Sequence, residues 1–190
     1  MIETERLRLR GWCQDDAAAH HAMCSDPDVI RYLGAPPTIE DSRDVVTRQT
    51  ATLESYGICF LVIEARADGA FLGWCGIKPG PESTPIADMP EIGWSLTRSA
   101  WHQGYAREAA GAVIDWFWEH KPDPTVYAIT VPANTASWGL MERLGMQRMI
   151  DQDFDHPAVE DDSSLKRHIT YRIDRPADRA HNRLFVNHIG

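Results

Sequence analysis

One stretch of the sequence decides the fold: residues 91–97 read EIGWSLT, and residues 98–110 continue as RSAWHQGYAREAA. The first part alternates as a strand does, and the second is a short turn with Gly104 that leads into a helix. The first N–H groups of a helix have no partners within it, and the helix dipole adds roughly half a positive charge there. The order of strand, glycine turn and helix therefore predicts an anion site made of backbone groups. Taken alone, a purely structural turn explains a Gly-x-Ala sequence better, so the flanking segments decide.

The flanking patterns predict an α+β fold of three layers. We expect a mixed, mostly antiparallel sheet of about seven strands, flanked by about four helices, with the parallel pairing supplied by the central strand–helix–strand portion. Residues 25–37 and the proline-rich residues 79–90 are predicted to be irregular. The predicted strands are residues 5–12, 58–65, 71–78, 91–97, 125–131, 147–154 and 166–173. The predicted helices are residues 14–23, 39–56, 105–120 and 134–144.

Length, charge and cysteine spacing narrow the protein class. The 190 residues suit one domain, which we place at 1–174, with a tail or docking arm at 175–190 that holds an apolar cluster at 184–186. The net charge of −9 argues against a nucleic-acid partner. We find neither a signal peptide nor an apolar run of membrane-spanning length, so a cytoplasmic protein without membrane contact is expected. The four cysteines lack metal-site spacing, and Cys59 and Cys75 are expected to be buried free thiols.

The segment from Trp101 to Ala106 resembles the Q/R-x-x-G-x-G/A loop of the GNAT superfamily of N-acetyltransferases. Its extended form, WHQGYAREA, is close to the W-G-K-G-Y-A-T-E-A of a branch that resembles ribosomal-protein N-terminal acetyltransferases. Three further motifs follow the family's order, namely TERLRLR at 4–10, EIGW at 91–94 and N-x-x-S…E-R-x-G-M at 134–146. The resemblance covers residues 4–173 and implies the GNAT fold, with acetyl-CoA as cosubstrate and no metal.

The resemblance also implies how the cosubstrate is held. Trp101 stands where most of the family has Gln or Arg, so the grip on the pyrophosphate moves to backbone N–H groups of residues 103–106. Asn134 resembles the residue that bonds the pantetheine arm, although a helix N-cap explains it equally well. Trp74 or Trp94 is expected to wall the cleft. Arg98 is a further candidate for phosphate pairing. The expected cofactor-binding residues are Leu96, Thr97, Trp101, His102, Gln103, Gly104, Tyr105, Ala106, Arg107, Asn134 and Ser137.

The implied reaction is direct attack of a neutral amine on the acetyl thioester, which requires a base. Lysine-like amines have a pKa near ~10.4 and α-amines near ~7.7–8.0, so a proton must leave first. Glu91, at the start of its strand, is the leading base, with a solvated carboxylate as the alternative, and Asp88 is the second candidate. Ser137 is the candidate acid for the departing thiolate, or else a residue that bonds the helix start. His156 and His168 either line the acceptor site or are structural or surface histidines.

Two functions of different classes remain open. The first is an N-acetyltransferase that acts on a primary amine, either a protein N-terminus or a small molecule, as a monomer or homodimer. The second is a non-catalytic acyl-CoA-binding or sensor protein, because Gly104 and Asn134 would serve both. A Rossmann-type enzyme is discounted, since Gly11 stands alone where GxGxxG is needed. Acidic residues at 41, 44, 54 and 160–162 would suit a cationic acceptor, although solvated charge explains them as well.

Overall fold

The protein is described here by a computed structural model that covers residues 1–177. Within this range lie nine strands and five helices. The strands are β1 (Ile2–Glu3), β2 (Leu7–Arg10), β3 (Phe60–Ala65), β4 (Phe71–Pro79), β5 (Pro90–Leu96), β6 (Thr125–Thr130), β7 (Gln147–Arg148), β8 (Phe154–Asp155) and β9 (Arg167–Asp174). The helices are α1 (Asp16–Cys24), α2 (Pro27–Ile30), α3 (Ile39–Tyr56), α4 (Tyr105–His120) and α5 (Thr135–Arg143).

Most predicted elements are confirmed, and two are corrected. The strand predicted at 147–154 is wrong: β7 and β8 are separated by a 3₁₀ turn at Ile150–Gln152, which Arg148 closes by a bidentate pair with Asp153. The irregular segment at 25–37 contains α2, because Asp26 caps its first turn and a proline takes the first helical position. The sheet has nine strands, two more than expected, and three of the nine (β1, β7 and β8) are only two residues long.

The sheet order is β1-β2-β3-β4-β5-β6-β9-β7, with β8 paired to β9. Its one parallel pairing among the described strands joins β5 to β6, as predicted from the strand–helix–strand order. That pairing consists of a single register match, Glu91 with Tyr127. Beyond this point the two strands separate, and the sheet opens into a cleft.

Helices cover both faces of the sheet. Register and alternation place Phe60, Trp74 and Gly93 on one face, where α1 and α3 pack against one another and over β4. The opposite face carries fully buried side chains such as Cys75 and Ile77, and α4 packs there against β4 and β5. Three layers result, as predicted, and the buried Cys59 and Cys75 are free thiols.

The chain beyond β9 was predicted to be a tail or docking arm at 175–190, and the structure describes only residues 175–177 of it. Arg175 binds the body of the domain: its N–H donates to the Pro124 carbonyl at 2.7 Å, and its guanidinium donates to the Asp123 carbonyl at 3.0 Å. The apolar cluster predicted at 184–186 lies outside the described residues. Within residues 1–177, no helix is both long and apolar enough to cross a membrane.

Candidate active site

A cavity of about 500 Å³ lies between β5 and α5, the helix that follows β6. One wall is β5, another is the loop that follows it and the start of α4, and a third is α5. The short helix α2 and the residues after it form the remaining side. Lining side chains include Asp28, Val29, Arg31, Tyr32, Leu33, Trp94, Ser95, Leu96, Ala100, Trp101, His102, Gly104, Tyr105, Ala106, Arg107, Asn134, Ala136, Ser137, Leu140 and Arg143. Nine of the eleven predicted cofactor residues are in this set, and Trp94 is the tryptophan that walls the cleft.

The backbone of β5 offers hydrogen-bonding groups to this cavity; of the two predicted residues, Leu96 does so and Thr97 does not. The N–H of Thr97 donates to the Leu72 carbonyl at 2.9 Å, so it is not available to a ligand. Hydrogen-bonded and non-hydrogen-bonded pairs alternate along an antiparallel ladder. The backbone groups of Trp94 and Leu96 therefore point away from β4, toward the gap. The expectation for Thr97 is corrected: the free edge consists of the N–H and carbonyl of Trp94 and the N–H of Leu96, since the Leu96 carbonyl accepts the Trp101 indole N–H.

The loop after β5 is fixed by Trp101. Its indole N–H donates to the Leu96 carbonyl at 2.9 Å, and its ring packs on an apolar cluster of Met23, Val29 and neighbouring residues from α1 and α2. The tryptophan that departs from the family's Gln or Arg thus ties the loop to the end of the strand. Thr97 and Gln103 are the two predicted cofactor residues that do not line the cavity. The side-chain amide of Gln103 donates to the Ser99 carbonyl.

The loop ends at a helix N-terminus that faces the cavity. Gly104 is the N-cap of α4 with φ +82°, a left-handed conformation that glycine adopts without strain. Glu108 is the residue whose N–H donates to the Gly104 carbonyl, so the N–H groups of the three preceding residues have no partner within the helix. The predicted anion site is therefore present in geometry, on a helix of 16 residues.

Residues near the chain's N-terminus brace this helix start. Arg6 forms an ion pair with Glu108 at 2.6 Å and donates to the Gln103 carbonyl at 3.0 Å. The Thr4 hydroxyl also donates to the Glu108 carboxylate. Partial burial would raise the pKa of Glu108, but the bonds from Thr4 and Arg6 outweigh it and hold that pKa below its usual range. Two of the predicted motifs, TERLRLR and GYAREA, are thus in direct contact.

Across the cleft, α5 contributes Asn134 and Ser137. Asn134 is the N-cap, and its side-chain oxygen accepts the N–H of Ser137 at 3.3 Å. Both residues also line the cavity, so the cap and ligand interpretations are compatible. The Ser137 hydroxyl makes no hydrogen bond to the described part of the chain, which leaves it available in the cleft.

Glu91 lies at the register match of β5 with β6, on the face of the sheet shared with Ser95, and is not among the residues that line the cavity. It is 8% exposed, so the alternative of a solvated strand-end carboxylate is wrong. The ammonium group of Lys78, its register partner on β4, lies 2.7 Å from Oε2. Burial raises the pKa of Glu91, and the positive charge and hydrogen bond of Lys78 oppose that rise without cancelling it. Asp88, the second candidate base, is exposed in the preceding loop.

Comparison with known proteins decides the family. The family described as the acetyltransferase (GNAT) domain matches residues 6–147, more than half of the chain. The chain belongs to the GNAT acetyltransferase family. It is therefore an acetyl-CoA-dependent acyltransferase, as the sequence predicted.

Individual relatives agree with this assignment. An uncharacterized N-acetyltransferase, p20 of Bacillus licheniformis, is 30% identical over 150 residues, which are 77% of this chain and 82% of p20. A crystal structure of an acetyltransferase from Agrobacterium tumefaciens is 28% identical with a TM-score of 0.73, covering 92% of this chain and 94% of that one. RimL, a ribosomal L7/L12 α-N-protein acetyltransferase solved with coenzyme A, shares the fold at 15% identity and a TM-score of 0.72, over 90% and 95% of the chains.

Cationic side chains surround the mouth of this GNAT cleft. Arg31, Arg107 and Arg143 all line it, in keeping with a cosubstrate that carries several phosphates. Arg98, predicted as a phosphate partner, instead pairs with Asp28 and so joins the loop to α2. Sequence reasoning missed Arg31 and Arg143. The Asp-Pro start of α2 was the available signal, since it marks a helix that turns the following residues toward the cleft.

The two predicted histidines form a ring cluster near the Lys78–Glu91 pair. The rings of His156 and His168 lie 4.9 Å apart, and Phe154 packs 5.6 Å from His168. Burial lowers the pKa of His156, and the charges of Lys166 and Lys78 lower it further. Burial likewise lowers the pKa of His168. No group of three or more His, Cys, Asp or Glu side chains suited to a metal occurs among residues 1–177.

Proposed function

We propose that this GNAT acetyltransferase moves the acetyl group of acetyl-CoA directly to a primary amine. The observation that carries the proposal is a cavity with the family's cofactor-binding features beside β5, the strand that also holds the buried carboxylate of Glu91. A carboxylate whose pKa is raised by burial is a stronger base at neutral pH than an ordinary one.

In the proposed complex the backbone holds acetyl-CoA. The pyrophosphate accepts from the free N–H groups at the start of α4, and arginines at the cleft mouth neutralise the remaining phosphate charge. The pantetheine arm extends along the free edge of β5 at Trp94 and Leu96, as a peptide adds to a sheet edge. Asn134 reaches the arm from the opposite wall. This arrangement directs the thioester toward the closed end of the cleft.

The transfer step needs two proton movements. Glu91 takes a proton from the acceptor ammonium, directly or through a water molecule, and the neutral nitrogen attacks the thioester carbonyl. The new C–N bond forms, the C–S bond breaks, and coenzyme A leaves as a thiolate. As the C–N bond forms, the nitrogen loses its second proton, and the Ser137 hydroxyl or a water molecule relays that proton to the sulfur. This demand is modest, because a thiol has a pKa near ~8.5.

The names of relatives support an amine as acceptor. The p20 relative is named an N-acetyltransferase, and RimL is named for the α-amino group of a ribosomal protein. For this chain the acceptor is accordingly a primary amine, on a protein N-terminus or on a small molecule.

Glu91→Gln tests the role of the base. Thiol release from acetyl-CoA with a panel of amines should fall by roughly 10²–10⁴-fold in kcat, and the acidic limb of the pH–rate profile should disappear. The KM for acetyl-CoA should not change. Glu64→Gln is the matched control, because Glu64 is also a largely buried, ion-paired carboxylate, bonded to Arg10 on the same face. An unaltered pH profile in the Glu91 variant would remove Glu91 from the mechanism.

A further inference from the structure

A second cavity, of about 170 Å³, lies on the face of the sheet covered by α1 and α3. It shares no lining residue with the acetyl-CoA cleft. The roles assigned to the cosubstrate therefore leave it unexplained. Its walls come from the segment before α1, from α1 and α3, and from β3 and β4. The lining residues are Trp12, His20, Val45, Gln49, Phe60 and Trp74.

The wall of this cavity is aromatic, and its polar atoms are mostly engaged already. Phe60 and Trp74 stack with ring centroids 4.7 Å apart. The Trp12 indole N–H donates to the Phe60 carbonyl, and the Phe60 N–H donates to the side-chain oxygen of Gln49 at 3.0 Å. His20 is bonded through Nδ1 to the Ser42 hydroxyl at 3.0 Å. Among the described residues, none accepts from the Gln49 side-chain NH₂, which leaves its two N–H donors for a ligand.

The electrostatics of this cavity favour an uncharged guest. None of the six lining residues is a carboxylate that could pair with a cation. The positive charges nearby would oppose a cation: Lys78 lies 5.2 Å from the Phe60 ring, and burial together with the charges of His21 and Arg48 lowers the pKa of His20. An anion gains no partner either, because Lys78 is already paired with Glu91. Burying an unpaired charge here would be costly.

The cavity lies beside the cleft at one register pair. Trp74 on β4 is opposite Ser95 on β5. Trp74 lines the second cavity, and Ser95 lines the cleft. Side chains of such a pair start only about 5 Å apart. The Phe60 ring covers Gly93, the next residue of β5 on this face. A Cβ at Gly93 would lie 2.9 Å from that ring. A group held in the second cavity is thus adjacent to the strand along which the thioester is directed.

We propose that this second cavity binds an uncharged apolar side group of the acceptor amine, aliphatic or aromatic. A cavity of about 150 Å³ holds a benzene ring, so the guest is of the size of a phenyl or leucine side chain. The substrate class is a primary amine with such a group one or two carbons from its nitrogen. This inference rests on the proposed amine N-acetylation. Free amines and polypeptide N-termini that begin with Phe or Leu share this chemistry.

Acetyl transfer to matched amines tests the proposal. The free amines are 2-phenylethylamine and 3-methylbutylamine, compared with ethylamine, 1,4-diaminobutane and 3-aminopropanoate. The peptide arm compares tripeptides that begin with Phe or Leu with ones that begin with Ser or Asp. We expect kcat/KM to be roughly 10- to 100-fold higher for the apolar members. Turnover in one arm alone identifies the source, and either source supports the proposal.

Two substitutions at Val45, a half-buried residue of the cavity wall, assign the preference to this cavity. Val45→Phe fills the space and should remove the preference for apolar amines while ethylamine turnover is retained. Val45→Ala enlarges the space and should move the optimum to a longer group such as that of 3-phenylpropylamine. The KM for acetyl-CoA, measured in parallel, should stay constant in both variants, which shows that the cleft is intact.

The results distinguish failure of this inference from failure of the proposed function. If 1,4-diaminobutane or 3-aminopropanoate, which carry a second charged group, has a kcat/KM equal to or higher than that of the apolar amines, the apolar acceptor class is wrong while amine acetylation stands. A Val45→Phe variant that slows all amines alike would also overturn it. If acetyl-CoA binds and no amine releases thiol, amine acetylation itself is wrong, and the acceptor assignment falls with it.

Discussion

The ammonium nitrogen of Lys78 lies 2.7 Å from Oε2 of Glu91, and the two residues are direct register partners on β4 and β5. Burial and the contact with Lys78 have opposite effects on the pKa of the Glu91 carboxylate. Burial disfavours its charged form and raises its pKa, while the ammonium group stabilises that form. The proposed base is therefore tuned by a residue that sequence analysis did not single out.

Lys78→Met should shift the pH dependence of the reaction. Without the ammonium group the effect of burial is unopposed, so the pKa of Glu91 rises further above its ordinary value. The carboxylate then stays protonated to a higher pH, and the acidic limb of kcat/KM moves in the alkaline direction. Lys121→Met is the control, because Lys121 bonds the Tyr56 carbonyl instead of a carboxylate. A shift toward acidic pH, or the same shift in the control, would contradict the assignment.

Gly104→Glu should abolish acetyl-CoA binding by placing a carboxylate at the start of α4. We expect at least a 100-fold loss of affinity by titration calorimetry, equivalent to about 2.7 kcal/mol. Gly69→Glu is a matched control, since Gly69 has a similar φ of +75°, lies in the β3–β4 hairpin and has open space around it. Both variants carry a comparable left-handed strain of about 1–2 kcal/mol. Equal affinities in the two variants would refute the pyrophosphate assignment.

Asn134→Asp and Asn134→Ala separate two roles of one residue. Aspartate caps a helix as well as asparagine does, whereas alanine costs about 1 kcal/mol. Asn134→Asp should therefore keep the melting temperature but raise the KM for acetyl-CoA several-fold, because it lacks the amide N–H₂ donor. Asn134→Ala should lower both stability and affinity. An unchanged KM in the aspartate variant would limit Asn134 to capping.

Glu108→Gln should destabilise the fold in a pH-dependent manner. The folded-state pKa of Glu108 is depressed, so its contribution is complete above the unfolded pKa and is lost as the pH falls through the folded value. Urea unfolding near neutral pH should show that the free energy of unfolding falls by about 1–2 kcal/mol. The loss is smaller than for a fully buried ion pair, because Arg6 is partly exposed. The difference in the free energy of unfolding between the unsubstituted protein and the variant should become smaller as the pH falls toward about 4. Glu3→Gln, which breaks an exposed pair with Arg8, should change little at either pH.

Local signals predicted the parts of the site that depend on local structure. The bounds of α3 and α4 follow from helical periodicity and their end signals. Gly104 and the helix start after it have the geometry of an anion site, and the family motifs on either side of them predicted that this site serves the cofactor. Asn134 was assigned a cap role from its position and a cofactor role from the family resemblance, and the geometry is compatible with both.

Register and tertiary contact decided what local signals could not. Lys78 meets Glu91 only because the β4–β5 ladder aligns them, and residue spacing does not specify that alignment. Thr97 was expected to offer its N–H, but the alternation of the same ladder directs that group to Leu72. The strand predicted at 147–154 failed because the Arg148–Asp153 ion pair closes a turn at Ile150–Gln152.

The separation of β5 from β6 after Glu91 gives this protein a sheet edge in its interior. Unpaired edges on a protein surface recruit strands from other molecules and promote aggregation. Here the exposed backbone at Trp94 and Leu96 is recessed between α4 and α5, where a folded neighbour cannot approach. A thin, extended molecule with amide groups can enter. The recessed position of this backbone edge thus admits an extended ligand and also prevents the edge from pairing with a strand of another copy of the protein.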